Sequence, residues 1–223
     1  MKPYKNIFIR WLQGCLIFFA IGCTSQAKQK DFSKDEMAAK QTVLNAYKQI
    51  AIAKDRVENG DIITRTGNDF TSQSLKSLNR RDCTWSHCGI AVMENDSLFV
   101  YHALGGEWNP DEKIKKDYWE NFAEPYSNNG IGIYRFNVSG KIKQNISVVA
   151  MQFKNEGVKF DMDFNLQTND KMYCAEYVYK VLYQASNQSL SFHHSFIKQF
   201  EFIGVDDIIL HPLCSKVKIL SYK

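Results

Sequence analysis

The feature that most constrains this fold is a cysteine near the start of an amphipathic helix. Residues 170–186 carry apolar side chains at helical spacing, which predicts one buried face. The residues of that face are Ala175, Val178, Leu182 and Ala185. Asp170 or Asn169 is the expected N-cap, and Cys174 falls near the first turn, where the peptide dipoles favour a thiolate. Cys174 is therefore either a nucleophile or a small buried hydrophobe, as most free cysteines are.

Length and charge limit the classes of protein to consider. A chain of 223 residues with 44% hydrophobic residues is long enough for one domain with a sizeable core. The net charge is +4, but Lys2, Lys5 and Arg10 lie in the first 22 residues, which contain no acidic side chain. The remaining charges nearly balance, so we expect no nucleic-acid partner. We also expect the protein to be a monomer.

The N-terminal segment predicts export. Residues 1–22 combine a basic start with an apolar run too short to cross a bilayer comfortably, and Cys23 follows where the run stops. The ending Ala20-Ile21-Gly22-Cys23 resembles a bacterial lipoprotein signal, which implies acylation of Cys23 and an anchor in the outer or inner membrane of the cell envelope. A cleaved secretory signal and an uncleaved anchor are the alternatives. Residues 23–40 are expected to be a polar tether, and residues 41–223 the catalytic domain.

The remaining pattern predicts an α+β domain. Helices are expected at residues 35–57, 72–79, 115–122, 142–155, 193–200 and 204–209. Strands are expected at residues 61–65, 85–92, 98–103, 131–136, 160–166 and 217–222. A turn at Asn95-Asp96 joins two of these strands as an antiparallel hairpin. We therefore expect an antiparallel sheet packed against the helix that carries Cys174.

Two histidines lie on the arms of that hairpin. His87 and His102 are nearly opposite each other around the turn, so their side chains are expected to share one face. A thiolate nucleophile needs a base, and the base needs a third group that orients its ring. This makes Cys174 the candidate nucleophile, His87 the base and His102 the orienting residue.

The other cysteines allow two alternatives. Cys83, His87, Cys88 and Cys174 contain the side-chain types of a zinc site, but adjacent strand residues point to opposite faces and no CxxC occurs. We therefore expect no metal and no cofactor. A disulfide between Cys88 and Cys214 remains open.

Three motifs together resemble a known family. They are Gly60-Asp61-Ile62-Ile63, Trp85-Ser86-His87-Cys88-Gly89-Ile90 and Tyr173-Cys174-Ala175-Glu176-Tyr177-Val178-Tyr179. In this order they resemble the circularly permuted NlpC/P60 papain-like proteins. The similarity is greatest to the YiiX/YebB-like cysteine hydrolases (peptidase C92-like), which are related to lecithin:retinol acyltransferase. The resemblance covers about residues 60–207.

The resemblance implies a papain-like fold, with Cys174 as nucleophile and His87 as base. The third position is commonly Glu in the YiiX-like group and His in the acyltransferase branch, and here it falls at His102. The expected function is an envelope-anchored cysteine hydrolase that cleaves an amide bond in a peptide or peptidoglycan peptide. A lipid or N-acyl transferase and a non-catalytic ligand-binding module are the alternatives.

Three further residues are candidates for binding the substrate. Tyr173 precedes the nucleophile, Asp161 lies on a predicted strand, and Trp108 lies in the long segment after the hairpin. Core packing is the alternative role for Tyr173, and a solvated strand face is the alternative for Asp161.

Overall fold

The computed structural model describes residues 32–222, so the predicted signal and Cys23 lie outside the described residues. The helices are α1 (Phe32–Lys54), α2 (Phe70–Lys76), α3 (Trp119–Phe122), α4 (Gly140–Asn155), α5 (Cys174–Ala185) and α6 (Val205–Ile209). The strands are β1 (Ile62–Gly67), β2 (His87–Glu94), β3 (Ser97–His102), β4 (Lys115–Tyr118), β5 (Asn128–Phe136), β6 (Lys159–Phe160), β7 (Lys171–Met172), β8 (Ser195–Ile197), β9 (Phe200–Phe202) and β10 (Cys214–Ser221).

Six of these strands form one antiparallel sheet in the order β10-β5-β1-β2-β3-β4. The β2–β3 hairpin turns at Asn95 and Asp96, whose φ angles are 46° and 62°. Two successive residues with positive φ match the right-handed twist of the flanking strands. The predicted hairpin is therefore confirmed.

Helices cover both faces of the sheet. On one face α4 and α5 bury apolar side chains against β2, including Val149, Val178 and Ile90. On the other face α1 and α3 contribute Ile50 and Phe122 to a second cluster. The expected α+β architecture, an antiparallel sheet packed against the helix that carries Cys174, is confirmed.

The first helix begins earlier than expected. The helix α1 begins at Phe32, three residues before the predicted start at residue 35, so residues 32–40 of the expected tether are helical. Residues 34–40 are exposed, so this first part of α1 buries no apolar face that would mark its start in the sequence. An ion pair of 2.8 Å between Glu36 and Lys40 supports the helix here, one turn apart. Within the described chain, no helix has the length and apolar character needed to cross a membrane.

Four local predictions were wrong. Residues 115–118 form the edge strand β4 instead of a helix, because pairing with β3 overrides their weak local preference. Residues 193–200 contribute to a β8–β9 hairpin. The expected strand at 160–166 stops after Phe160 in a turn, where Phe164 has a φ of 54°. The cysteine helix starts at Cys174 itself, with Tyr173 rather than Asp170 as its N-cap.

Candidate active site

Cys174 is the first residue of α5. The chain enters the helix from β7 through Tyr173, which is extended. The carboxylate of Glu176 accepts a hydrogen bond of 3.2 Å from the main-chain N–H of Tyr173, which fixes the start of the helix. The thiol therefore lies at the helix end where main-chain N–H groups are unpaired and a negative charge is favoured.

The immediate neighbour of the Cys174 thiol is Cys88. A hydrogen bond from the Cys88 thiol lowers the pKa of Cys174, against the opposing effect of burial. Main-chain N–H groups of Cys88, Ala175 and Cys174 lower it further. Burial and the same contact raise the pKa of Cys88 well above its ordinary value. Of the two thiols, Cys174 is therefore the one disposed to ionise, and it lies against the residue that follows His87.

The hairpin brings the two histidines together on one face. Nε2 of His87 and Nδ1 of His102 are 2.8 Å apart, and the rings are nearly perpendicular. His102 is fully buried and His87 nearly so. The link between Cys174 and this strand is the main-chain N–H of Cys88, the residue after His87, which is hydrogen-bonded to the thiol. No hydrogen bond joins the side chains of Cys174 and His87 in the described structure.

A third group extends this pair, and the sequence analysis missed it. Oδ2 of Asp117 lies 2.9 Å from Nε2 of His102. Asp117 reaches this position because β4 pairs with β3, where Val100 is opposite Asp117. The segment had been assigned to a helix, so nothing in the sequence analysis placed this carboxylate beside the hairpin.

The network fixes the tautomers of both rings. The hydrogen bond from His102 lowers the pKa of Asp117, so its carboxylate is ionised and only accepts. Nε2 of His102 must then donate to Asp117, and Nδ1 of a neutral His102 must accept from Nε2 of His87. The unprotonated nitrogen of His87 is therefore Nδ1, the atom of this ring that can accept a proton.

Both rings favour the neutral form. Burial lowers the pKa of His87 well below its ordinary value, and the charge of Arg65 adds to this effect. Burial also lowers the pKa of His102, while the hydrogen bond to Asp117 opposes that decrease. A neutral His87 at physiological pH is competent to accept a proton.

Arg65 is the second residue that the sequence analysis missed. It lies directly across from His87 in the β1–β2 register. Its guanidinium lies 4.5 Å above the ring of Phe122, and Nη1 donates a hydrogen bond of 3.1 Å to the carbonyl of Phe122. Arg65 and His87 share a cleft of about 330 Å³. Its other lining residues are Gly67, Asp69, Thr71, Ser72, Leu75, Ser86, Leu104, Gly105, Glu124, Ser127 and Asn128.

The three predicted substrate-binding residues lie outside this lining. The hydroxyl of buried Tyr173 accepts a hydrogen bond of 2.8 Å from the main-chain N–H of Ile203. The carboxylate of buried Asp161 accepts main-chain N–H groups of Asp163 and Asn165 at 2.9 and 2.6 Å. These contacts favour a core role for Tyr173 and a turn-forming role for Asp161. Trp108 is 98% exposed, and its role in binding stays a prediction.

The described cysteines form no disulfide. Cys83, Cys88, Cys174 and Cys214 are all free thiols, so the bridge between Cys88 and Cys214 is not formed. Among residues 32–222, no group of three or more His, Cys, Asp or Glu side chains is arranged to hold a metal ion.

A family comparison identifies the class of protein to which this chain belongs. The model of the permuted papain-like amidase enzymes, the YaeF/YiiX or C92 family, matches residues 56–200. The chain belongs to this family. It is therefore a papain-like cysteine hydrolase of the amidase and peptidase class, and the matched region contains Cys174, His87, His102 and Asp117.

A solved structure supports the fold of this C92-family amidase. The chain is similar to the crystal structure of YiiX from Escherichia coli O157:H7, with a TM-score of 0.61 at 18% identity. The similarity covers 74% of this chain and 99% of that one. YiiX is described as a metalloprotein. No curated protein is similar enough in sequence to extend the comparison.

Proposed function

We propose that this C92-family amidase cleaves its amide through a thioester on Cys174. Two observations carry the proposal: the hydrogen-bonded series His87–His102–Asp117, and the contact of Cys88, the residue after His87, with a thiol whose pKa is lowered. A thiolate is the reactive form of cysteine, and a buried histidine held in one tautomer is a suitable proton acceptor.

The proposed reaction uses Cys174 as the nucleophile and His87 as the base. The sulfur of Cys174 attacks the amide carbonyl while Nδ1 of His87 takes the thiol proton. The same nitrogen returns that proton to the leaving amine as the C–N bond breaks, which leaves a thioester that water then hydrolyses. The main-chain N–H of Cys174, at the helix N-terminus, is the donor we assign to the oxyanion.

Asp117 supplies the negative charge that His102, as the residue orienting the base, lacks. A neutral histidine orients the base but stabilises an imidazolium less than a carboxylate does. In this chain the carboxylate of Asp117 lies behind His102 and is hydrogen-bonded to its Nε2, the ring nitrogen that does not face His87. When His87 gains a proton, His102 can accept the Nε2 hydrogen bond while Asp117 supplies the negative charge.

We further propose that the substrate is a peptide or peptidoglycan peptide of the cell envelope, and that the protein is anchored there through acylated Cys23. The support is the export pattern of residues 1–22. Cys23→Ala should move the protein from the membrane fraction to the soluble fraction of the envelope. Retention of this variant in the membrane would contradict the lipid anchor.

The mechanism can be tested without knowing the substrate. Iodoacetamide alkylation of Cys174, followed by peptide mass spectrometry from pH 5 to 9, should be fast below the range of an ordinary thiol. His87→Ala should suppress that reaction, while His193→Ala, a matched histidine variant outside the site, should not. Equal alkylation profiles for Cys174 and exposed Cys83 would contradict an activated nucleophile.

The reaction class needs a second measurement. Incubation of the enzyme with envelope peptides should produce new amine and carboxylate ends that Cys174→Ala does not produce. Transfer of an acyl group from a lipid to an amine, without cleavage of any peptide, would favour the acyltransferase alternative instead.

A further inference from the structure

Arg65 is a largely buried cation without an anionic partner in the described chain. Its one side-chain hydrogen bond goes to the neutral carbonyl of Phe122, although a guanidinium carries five N–H donors. None of the ion pairs among residues 32–222 includes it. Burial lowers the pKa of Arg65, which shows the cost of holding this charge away from water.

The carboxylates nearest to Arg65 are occupied elsewhere. Asp69 accepts the main-chain N–H and the hydroxyl of Ser72 at the start of α2. Glu124 accepts main-chain N–H groups of Tyr126 and Ser127. Asp117 is hydrogen-bonded to His102. These groups act on Arg65 through space, but none neutralises it by contact.

Arg65 is placed where its unpaired charge can interact with a bound ligand. It lines the cleft together with His87, and it is close enough to Cys174 for the sulfur's charge to act on it. A buried charge that lacks a partner is costly, and a ligand that supplies the partner recovers that cost on binding. A guanidinium fork matches a carboxylate through two parallel hydrogen bonds.

We propose that Arg65 binds a carboxylate of the substrate in this cleft. The amide that Cys174 cleaves would then belong to an acidic molecule whose carboxylate lies near the scissile bond. This inference rests on the proposed function, because it names the substrate class of the same site.

Two small alkylating agents test the proposal on the full-length protein. Iodoacetate and iodoacetamide have nearly the same shape, but only iodoacetate carries a carboxylate. Each forms a C–S bond with the cysteine thiolate as the C–I bond breaks and iodide leaves. Peptide mass spectrometry at pH 7 gives the ratio of the two rate constants for Cys174 and for Cys83, an exposed thiol of the same chain.

We expect the ratio of iodoacetate to iodoacetamide rates to be about tenfold higher at Cys174 than at Cys83, since a charge-assisted hydrogen bond contributes at least that factor. Arg65→Gln should reduce the ratio at Cys174 to that of Cys83. Arg65→Lys, which keeps the charge but loses the fork, should retain part of the preference. Arg80→Gln, the same change at an exposed arginine outside the cleft, should leave it unchanged.

A measurement on the unaltered protein covers the case in which the Arg65 variants do not fold. Propionate should slow the alkylation of Cys174 by iodoacetamide, and propionamide should not. Equal protection by inorganic phosphate would overturn the assignment to a carboxylate.

Failure of this inference is distinguishable from failure of the proposed function. If Cys174 reacts rapidly with iodoacetamide but shows no preference for iodoacetate, the nucleophile stands and the carboxylate site is overturned. If Arg65→Gln slows both reagents equally, Arg65 stabilises only the thiolate, which also overturns the site. If Cys174 reacts like Cys83 with iodoacetamide, the proposed nucleophile itself fails.

Discussion

The carboxylate of Asp117 lies 2.9 Å from Nε2 of His102 and reaches His87 through that ring. This contact determines which nitrogen of each histidine carries a proton. It also places a negative charge at the far end of the series, where it stabilises a proton arriving on His87. Asp117 touches no reacting atom, so it is a positioning residue whose effect must pass through His102.

Asp117→Asn should lower the rate of amide cleavage by about tenfold, less than the ~10⁴-fold loss known when a carboxylate in direct contact with the base becomes an amide. An asparagine can accept from His102 but carries no charge, so a protonated His87 is less stable. The acid limb of the pH–rate profile should therefore move to lower pH. A purely structural role for Asp117 would lower the rate without moving that limb.

Asp111→Asn is the matched control for this experiment. Asp111 precedes the same strand, is exposed and pairs with Lys159. Its replacement should change neither the rate nor the pH profile. A shift of the acid limb in Asp111→Asn equal to that in Asp117→Asn would show that the effect is not specific to the histidine series.

Stability should decrease at acidic pH because of the two buried histidines. The pKa of His87 and the pKa of His102 are lowered in the folded state, mainly by burial. Below the ordinary histidine pKa of about 6.5, the unfolded chain therefore binds more protons than the folded chain. The free energy of unfolding should fall by up to about 1.4 kcal/mol per pH unit for each histidine in this range.

Urea unfolding at intervals between pH 7.5 and 5 measures this slope. The double variant His87→Gln/His102→Gln removes both titrating groups and should show a shallower dependence on pH, whatever its absolute stability. Identical slopes for this variant and the natural protein would mean that other groups cause the acid sensitivity.

The sequence predicted the parts of the site that depend on local pattern. The hairpin follows from alternation around Asn95-Asp96, and this local signal alone brings His87 and His102 to one face. The buried face of α5 follows from helical periodicity, although its first residue was placed a few positions too early. Helix ends depend on the geometry of the cap, which periodicity does not specify.

The missed parts depend on pairing between distant segments. Lys115-Lys116-Asp117-Tyr118 lacks apolar alternation because it is an edge strand, so nothing local marks Asp117 as a neighbour of His102. Arg65 lies in a strand that was predicted correctly, but its position opposite His87 required the β1–β2 register. For Asp161 the local pattern was misleading. Alternation of apolar and polar residues predicted a strand, but the segment is a turn in which both oxygens of the Asp161 carboxylate accept main-chain N–H groups.

Cys88 should control the reactivity of the nucleophile. Its thiol donates the hydrogen bond that is the largest cause of the lowered pKa of Cys174. Cys88→Ala removes this donor, so the pKa of Cys174 should rise and less thiolate should be present at low pH. Alkylation by iodoacetamide at pH 6 should slow by up to about tenfold, the factor for losing one hydrogen bond from an ordinary donor to a charged group, since a thiol is a weaker donor.

Cys88→Ser separates this hydrogen bond from packing. Serine keeps a donor at the same position and should restore most of the rate at pH 6, whereas Cys83→Ala should leave the rate unchanged. Similar slow alkylation in Cys88→Ser and Cys88→Ala would show that the size of the sulfur atom, rather than its hydrogen bond, supports the reactive state.

Asp161 should matter for stability rather than for substrate affinity. Its two carboxylate oxygens accept the main-chain N–H groups of Asp163 and Asn165, and the residue is 1% exposed. Asp161→Ala leaves both donors without a partner in the turn, which should lower the free energy of unfolding by about 2 kcal/mol or more. Asp163→Ala, at the exposed neighbouring position, should lower the free energy of unfolding much less.

Urea unfolding gives the stabilities of these Asp161 and Asp163 variants, and KM for the amide substrate gives the affinity. An increase in KM for Asp161→Ala without loss of stability would instead favour a direct role of this carboxylate in binding the substrate.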